Sequence, residues 1–474
     1  MKILNEIKSN RAEGTKIINC DVNSDISMDE KYLRKTPINI PDISEGDVVR
    51  HYTNLSRQNY ALSTTFYPLG SCTMKYNPIV NEKVANFEEF SVIHPYQPQQ
   101  TLQGSLEIMY ELQKALCEIS GMDYFTLQPA AGAHGEYTGL LIIAQYFKLK
   151  KEKRTKIIVP DSAHGTNPAS AALAGFEIVS LKSDENGIVS PEKLKEVLNS
   201  DVAAMMMTNP NTLGVFEKNI EEISKLIHNN GSLLYYDGAN LNAVMGIVRP
   251  ADIGFDVMHI NLHKTFSTPH GGGGPGAGPV GVKAFLKDCL PIPIVEKKDD
   301  KFELNFNNKD SIGMMRSFFG NFPVILKALC YIKSLGGKQL KEASEQAVIN
   351  ANYVMSKIKD KVSVPAGDKC MHEFALSTKG YLGEGVKTLD VAKRLLDYGY
   401  YAPTIYFPLI VEEAMMIEPT ETESKQLLDE FIAVFLQILE ESKQNPDLLH
   451  NAPINTPVSR LNEVQAARKP ILHW

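Results

Sequence analysis

The chain lacks almost everything that would tie it to a membrane, a metal or a nucleic acid. No run approaches the twenty or so consecutive apolar residues that a bilayer-spanning helix needs. The six cysteines, Cys20, Cys72, Cys117, Cys289, Cys330 and Cys370, form no C-x-x-C pair, so the usual zinc and thioredoxin patterns are excluded. Cysteines this sparse and scattered fit a reducing compartment. Positive charge is not in excess: 49 Lys+Arg against 56 Asp+Glu give a net charge of −7. Such a chain has no field that would gather nucleic acid or an anionic membrane. The basic cluster at 148–154 reads as a solvated helix end. Residues 1–14 are polar and carry no apolar segment of signal-peptide type. No internal repeat occurs, and the only low-complexity tract is one glycine cluster. A cytoplasmic protein is the expectation.

What is present is a globular balance, 43% hydrophobic and 22% charged over 474 residues, enough for two or three domains. Residues 1–95, punctuated by Pro37, Pro41, Pro68, Pro78 and Pro95, read as an extended arm with short helices. From about 100 a helical period runs through Leu106, Met109, Leu112 and Leu116, and Gly121 is placed to end it. Strand-like runs at 156–159, 176–180, 202–207, 233–236 and 257–260 then alternate with helix-like stretches at 136–148, 169–174, 191–199 and 220–229. That alternation predicts an α/β domain, 96–325, built on a mostly parallel sheet. A long helical stretch, 322–358, is interrupted at Gly336-Gly337. It leads into a smaller α/β unit with strand-like 373–377 and helices at 388–398 and 423–441, so 326–474 is read as a second domain with a proline-punctuated tail.

Ligands of open α/β sheets bind beyond the carboxyl ends of the strands, and the polar motifs fall there. Asn261-Leu262-His263-Lys264-Thr265-Phe266 follows the last strand and precedes the glycine run Gly271–Gly278. A lysine at a strand end beside close-approaching backbone suits aldehyde chemistry, which needs an amine able to lose its proton. The run lacks the order of a nucleotide-binding loop. His259 and His263, four apart on a strand, stand about 13 Å apart and do not suit zinc. Asp237, in Tyr235-Tyr236-Asp237-Gly238-Ala239-Asn240, closes an apolar strand; a buried carboxylate needs a partner, such as a cationic ring nitrogen, or else caps the next helix. Ala130-Ala131-Gly132-Ala133-His134-Gly135-Glu136 opens a helix with small residues, which makes either a phosphate site or a tight turn. His164, in Pro160-Asp161-Ser162-Ala163-His164-Gly165-Thr166-Asn167-Pro168, could stack on an aromatic ring or be structural. Thr208 and Asn209 follow another strand, within reach of a ring hydroxyl. Taken singly each motif has a plain structural reading. Their order at consecutive strand ends (phosphate loop, stacking histidine, hydroxyl or amide, aspartate, lysine) is the order of fold-type-I pyridoxal-phosphate enzymes, the aspartate-aminotransferase-like superfamily.

Longer strings narrow the match. Tyr67-Pro68-Leu69-Gly70-Ser71-Cys72-Thr73-Met74-Lys75-Tyr76-Asn77, the 162–170 and 261–274 segments, Ala402-Pro403-Thr404-Ile405-Tyr406-Phe407-Pro408, Glu418-Pro419-Thr420-Glu421 and Pro457-Val458-Ser459-Arg460-Leu461 resemble the P-protein of the glycine cleavage system, glycine dehydrogenase (decarboxylating). The resemblance runs from about residue 50 to the end. The chain length is similar to the second subunit of the split form, and His134 stands where long-chain members usually have Gln. The resemblance implies pyridoxal 5'-phosphate held as a Schiff base on Lys264, with Asp237 on the ring nitrogen. His164 would stack on the ring and move protons, Ala239 would lie on the opposite face, and Asn240 would reach the ring hydroxyl. Ala133, His134 and Gly135 would meet the phosphate, with Asn261, His263 and Thr265 as further candidates. Arg316 would meet a carboxylate or form a structural ion pair. The implied partners are glycine, subunit 1 in an α2β2 assembly, and lipoylated H-protein, which takes the aminomethyl group. No nicotinamide is required, in keeping with the missing dinucleotide fingerprint. Two rivals are a cysteine desulfurase, for which Cys370 is the candidate nucleophile, and a scaffold subunit without turnover.

Overall fold

Short, wholly apolar runs build the central sheet. Its strands are β1 (Tyr124–Thr126), β2 (Lys156–Pro160), β3 (Glu177–Leu181), β4 (Val202–Thr208), β5 (Leu233–Gly238), β6 (Val257–Ile260) and β7 (Val280–Val282), in the order β1-β7-β6-β5-β4-β2-β3. All run parallel except β7, which pairs antiparallel with both β1 and β6. β4, β5 and β6 are buried along nearly their whole length, the mark of strands covered by helices on both faces. The computed structural model describes residues 21–22, 28–36, 43–184, 187–271 and 276–472. Much of the arm expected before residue 43, and the heart of the glycine run at 272–275, lie outside those residues.

The five expected strands are present within a residue or two. β1 and β7, three residues each, are too short to show a period. A hairpin, β8 (Ile294–Lys298) with β9 (Lys301–Asn305), was not expected either. Its charged sequence reads as solvated chain, and only the tight turn at Asp299, with φ 53°, betrays it. The helix Gln103–Ser120 buries Leu106, Met109, Leu112 and Leu116, each stabilising by about 1.5–3 kcal/mol. Gly121 ends it at φ 75°, its N–H returning to the Cys117 carbonyl, as the sequence predicts.

A second, antiparallel sheet holds β10 (Phe374–Ser377), β11 (Thr404–Ile405) and β12 (Ala414–Ile417), in the order β10-β12-β11. The long helix Phe322–Ile358 breaks its geometry at Gly336. Its first half packs into the large core and its last turns, from Ala351, into the second core beside the small sheet. The expected boundary near residue 325 therefore meets a helix that serves both cores. The arm is anchored as well: Phe66 joins the second core, Leu69 bridges to Ile417, and the Gly70 N–H donates to the Met416 carbonyl. A Cβ on Gly70 would stand 2.7 Å from that carbonyl oxygen, so this approach requires glycine.

Lys75 ties these parts together. Its side chain is 1% exposed, and Nζ donates to the Thr265 carbonyl at 2.7 Å and the Tyr331 hydroxyl at 3.2 Å. It also pairs with Glu421 at 2.6 Å. Burial pulls its pKa down, but Glu421 outweighs that and the net shift is upward. Lys75→Met should destabilise the chain by about 3–5 kcal/mol, because it strands a mostly buried carboxylate; urea unfolding of both chains measures the difference.

Candidate active site

The carboxyl ends of β2, β4, β5 and β6 bring the candidate residues to one edge of the large sheet. Asp237 lies on β5 opposite His259 of β6, and Lys264 follows β6 in a tight turn whose amide returns to the Asn261 carbonyl. Asp237 is 3% exposed. Its Oδ2 accepts from Asn167 at 2.8 Å and Thr208 at 3.4 Å, and its Oδ1 from the Ala239 amide at 3.1 Å. Nε2 of His259 lies 3.3 Å from Oδ1 but without hydrogen-bond alignment, so that nitrogen is buried with no hydrogen bond of its own. Burial alone would raise the Asp237 pKa; His259, His164 and the hydrogen bonds outweigh it and hold it below the usual carboxylate range. Asp237 is thus a buried anion, and burying one is costly unless a cation completes it.

Lys264 shares the field of Asp237's neighbours. His164, His263, His270, His372, Cys72 and Glu373 all sense its charge. Among the described residues its amine forms neither a hydrogen bond nor an ion pair. His164 lies between the two bodies, its ring 5.4 Å from that of Phe407. Burial, set against the nearby Asp237, keeps its pKa below the ordinary value.

The helix Gly132–Leu149 opens without a side-chain cap on Ala131, leaving first-turn amides available at its positive end. Backbone crowds beneath it: a Cβ on Gly278 would stand 2.1 Å from the Ala131 carbonyl oxygen. Ala133 and Gly135 sit in this turn. The His134 ring is spent on the fold, because Nδ1 accepts from the Ala130 amide at 3.1 Å and the ring meets the Met315 backbone. Arg316 stands close enough to lower the His134 pKa, after burial, and makes no ion pair among the described residues.

Other expected contacts are committed elsewhere. Asn209 turns its amide oxygen to the Glu217 N–H at 2.9 Å. Asn240 donates to Glu418 at 2.9 Å and to Thr73. The Thr265 hydroxyl accepts from the Leu241 amide at 2.8 Å. Asn261 packs against Gly132 and keeps a buried Oδ1 with no partner. His263 faces His270, ring centroids 4.9 Å apart, and burial with that neighbour lowers its pKa to about 3.

The residues facing this edge carry no role in the sequence reading. Ser71 and Thr73 hold positive φ angles of 61° and 51°, a strained geometry that gathers at functional sites. The Thr73 amide and hydroxyl, Asn240 and Asn242 all donate to Glu418. Glu373 accepts from the Ser71 amide at 2.7 Å. Burial, then the charge of Glu418, pushes Glu373 up to about 8. Between its ordinary 4.5 and about 8, the unfolded chain releases this proton and the folded chain keeps it, so stability falls as pH rises. The Glu373→Gln chain should lose that slope, at most about 1.4 kcal/mol per pH unit. Urea midpoints near pH 5 and pH 8 should converge in the variant.

The buried anion, the unpaired amine at the next strand end and the uncapped helix together suit a phosphorylated, cationic aromatic aldehyde. A mostly parallel sheet carrying that set defines a fold-type-I enzyme of the pyridoxal-phosphate class, and pyridoxal 5'-phosphate is the cofactor. Residues 11–305 match the family model described as glycine cleavage system P-protein, and 343–454 match glycine dehydrogenase, C-terminal domain. A protein of Endomicrobium trichonymphae named probable glycine dehydrogenase (decarboxylating) subunit 2 is 65% identical across 100% of this chain and 99% of its own length. One of the same name from Thermotoga maritima is 59% identical over 94% of each. A solved glycine decarboxylase (P-protein) of the glycine cleavage system, in inhibitor-bound form, superposes with a TM-score of 0.71 at 20% identity, covering 86% of this chain and 94% of that one. The chain belongs to the glycine cleavage system P-protein family. Cys370, the desulfurase candidate, is buried, and burial pushes its thiol up to about 12, so at neutral pH it is no nucleophile. No helix among the described residues is long and apolar enough to cross a membrane.

Proposed function

We propose that this chain decarboxylates glycine and passes the aminomethyl group to the lipoyl arm of H-protein, as subunit 2 beside a subunit 1 in a cytoplasmic α2β2 assembly. The relatives' shared name supports both the substrate and the companion subunit. The observation that carries the chemistry is that Lys264 and Asp237 stand at the ends of adjacent strands. Pyridoxal phosphate, when bound, supplies an electron sink for the bonding pair left as carbon dioxide departs. Lys264 offers an amine with no ion-pair partner, the state from which a lysine most readily becomes a nucleophile. Asp237 keeps a negative charge where a ring nitrogen must hold its proton. His164 lies over the same site and exchanges protons there. The first-turn amide at Ala133 binds phosphate; that of Gly135 is already given to the Ala131 carbonyl at 2.9 Å. Ser71, Thr73 and Glu418 close the far wall and keep water out.

The test is to co-purify the chain with subunit 1 and follow labelled bicarbonate into the carboxyl of glycine, with and without lipoylated H-protein. Exchange that needs both proteins is expected. A complex that forms, takes up cofactor and still exchanges nothing with H-protein present would refute the reading.

A further inference from the structure

Glu373 directly precedes β10 and Glu418 directly follows β12. The antiparallel register pairs Phe374 with Ile417, so the next residues along, Glu373 and Glu418, stand opposite each other. They are 4% and 0% exposed. His372 lies beside them, 3% exposed, and neither of its ring nitrogens has a hydrogen-bond partner among the described residues. Its Nε2 is 3.8 Å from Oε1 of Glu373. One ligand atom from each of the three residues falls within 4.8 Å of the other two.

The hydrogen bonds to this cluster come from its edges. The Ser71 amide donates to Oε2 of Glu373 at 2.7 Å, and the Thr73 amide to Oε2 of Glu418 at 2.9 Å. The Thr73 hydroxyl, Asn240 and Asn242 all donate to Oε1 of Glu418. Oε1 of Glu373 receives only the Ser71 hydroxyl, at 3.5 Å. No lysine or arginine among the described residues forms an ion pair with either carboxylate. A buried polar atom without a partner costs about 1–3 kcal/mol, and two facing carboxylates add their repulsion. What the cluster lacks is a positive charge at its centre.

We propose that His372, Glu373 and Glu418 form a binding site for one divalent cation of the zinc type. The donor set decides the class. An imidazole nitrogen suits zinc, whereas magnesium and calcium take oxygen ligands. Zinc holds nitrogen and oxygen at about 2.0–2.2 Å, which puts two tetrahedral ligand atoms about 3.4 Å apart. Closing the 3.8 Å between Nε2 and Oε1 takes only a small turn of either side chain. Three protein ligands leave a fourth position for water. Donors behind a ligating carboxylate fix its orientation, and the Ser71 and Thr73 amides, both on residues of positive φ, fill that part. The ion thereby ties the start of β10, the end of β12 and the arm around residues 71–73 at one point. The proposal does not depend on glycine being the substrate.

The test uses the cofactor-loaded complex with subunit 1, freed of unbound cofactor and equilibrated with Zn2+ alone at low micromolar concentration. Elemental analysis should find one zinc for each copy of this chain. His372→Ala and Glu373→Gln should each weaken zinc binding by more than about 10-fold, the smallest loss expected for even an outer partner of a ligand. Glu373→Gln preserves the shape of the side chain, and unchanged cofactor uptake shows the fold intact. His450, 3.8 Å from Asp447 at the surface, is the control, and His450→Ala should keep the zinc. X-ray absorption should show nitrogen and oxygen at about 2.0–2.2 Å and no sulfur at about 2.3 Å. Zinc should raise the urea midpoint of the wild type and leave that of His372→Ala unmoved. Zinc missing from the wild type, zinc held equally by His372→Ala and Glu373→Gln, or sulfur around the metal overturns the proposal. A complex that binds zinc as described but exchanges no bicarbonate refutes the glycine reading alone.

Discussion

Replacing Lys264 by alanine should bring bicarbonate–glycine exchange to background and abolish the borohydride-stable attachment of cofactor to the chain. The two losses have one cause, because no second amine replaces the one at this strand end. Lys75, a buried lysine near the loop, is held by Glu421, Tyr331 and the Thr265 carbonyl. The loss should be large for exchange and small for folding. Lys264 makes no ion pair, so its truncation strands no buried partner, in contrast to Lys75→Met. Matching urea midpoints for wild type and Lys264→Ala, alongside lost exchange, are the expected pair. An alanine variant that still exchanges label would remove the covalent role from this position.

Asp237→Asn is the second large effect. The amide keeps the shape, but its single oxygen can accept from only one of Asn167 and the Ala239 N–H, and it brings no charge to the ring nitrogen. Exchange should fall roughly 10²- to 10³-fold, the equivalent of about 3–4 kcal/mol, as expected for breaking a buried charge pair. Were Asp237 only a local cap, the cost would be about 1 kcal/mol of stability and exchange would survive. Comparing kcat with the unfolding midpoint in one preparation distinguishes the two. His259 and His164 both help to keep Asp237 ionised, so Asp237→Glu should recover part of the rate, the rest being lost to misplacement of the longer side chain.

The large sheet was legible because buried parallel strands are unbroken apolar runs, and each ends on a polar motif. Asp237, Lys264, His164 and the Gly132 helix start all stand on such motifs. What escaped were contacts with no local trace. Thr73 meets Glu418 across a sequence separation of 345, and Ser71 meets Glu373 across 302; no period in either segment records the other. Glu136 was quoted only as the end of a small-residue motif, because its partners Thr166 and Ser170 lie on another helix. Amides at strand ends are suited to ligands, which is the sequence reading of Asn209 and Asn240; Glu418 claims the Asn240 amide, while Glu217 takes only the oxygen of Asn209 and leaves its buried amide nitrogen without a partner. His134 reads from sequence as a phosphate contact, and the structure turns its ring to the fold, closing the turn that begins the helix. The glycine run resisted both approaches, since 272–275 lie outside the described residues.

The ammonium of Lys75 touches the peptide next to Lys264, the long helix and the turn that follows the small sheet at once. A single rigid bolt of this kind makes the two bodies one gear train. Any rotation that narrowed the cleft would drag the backbone at 264–265 with it, and alignment of the nucleophile would then report on how tightly the far body is seated.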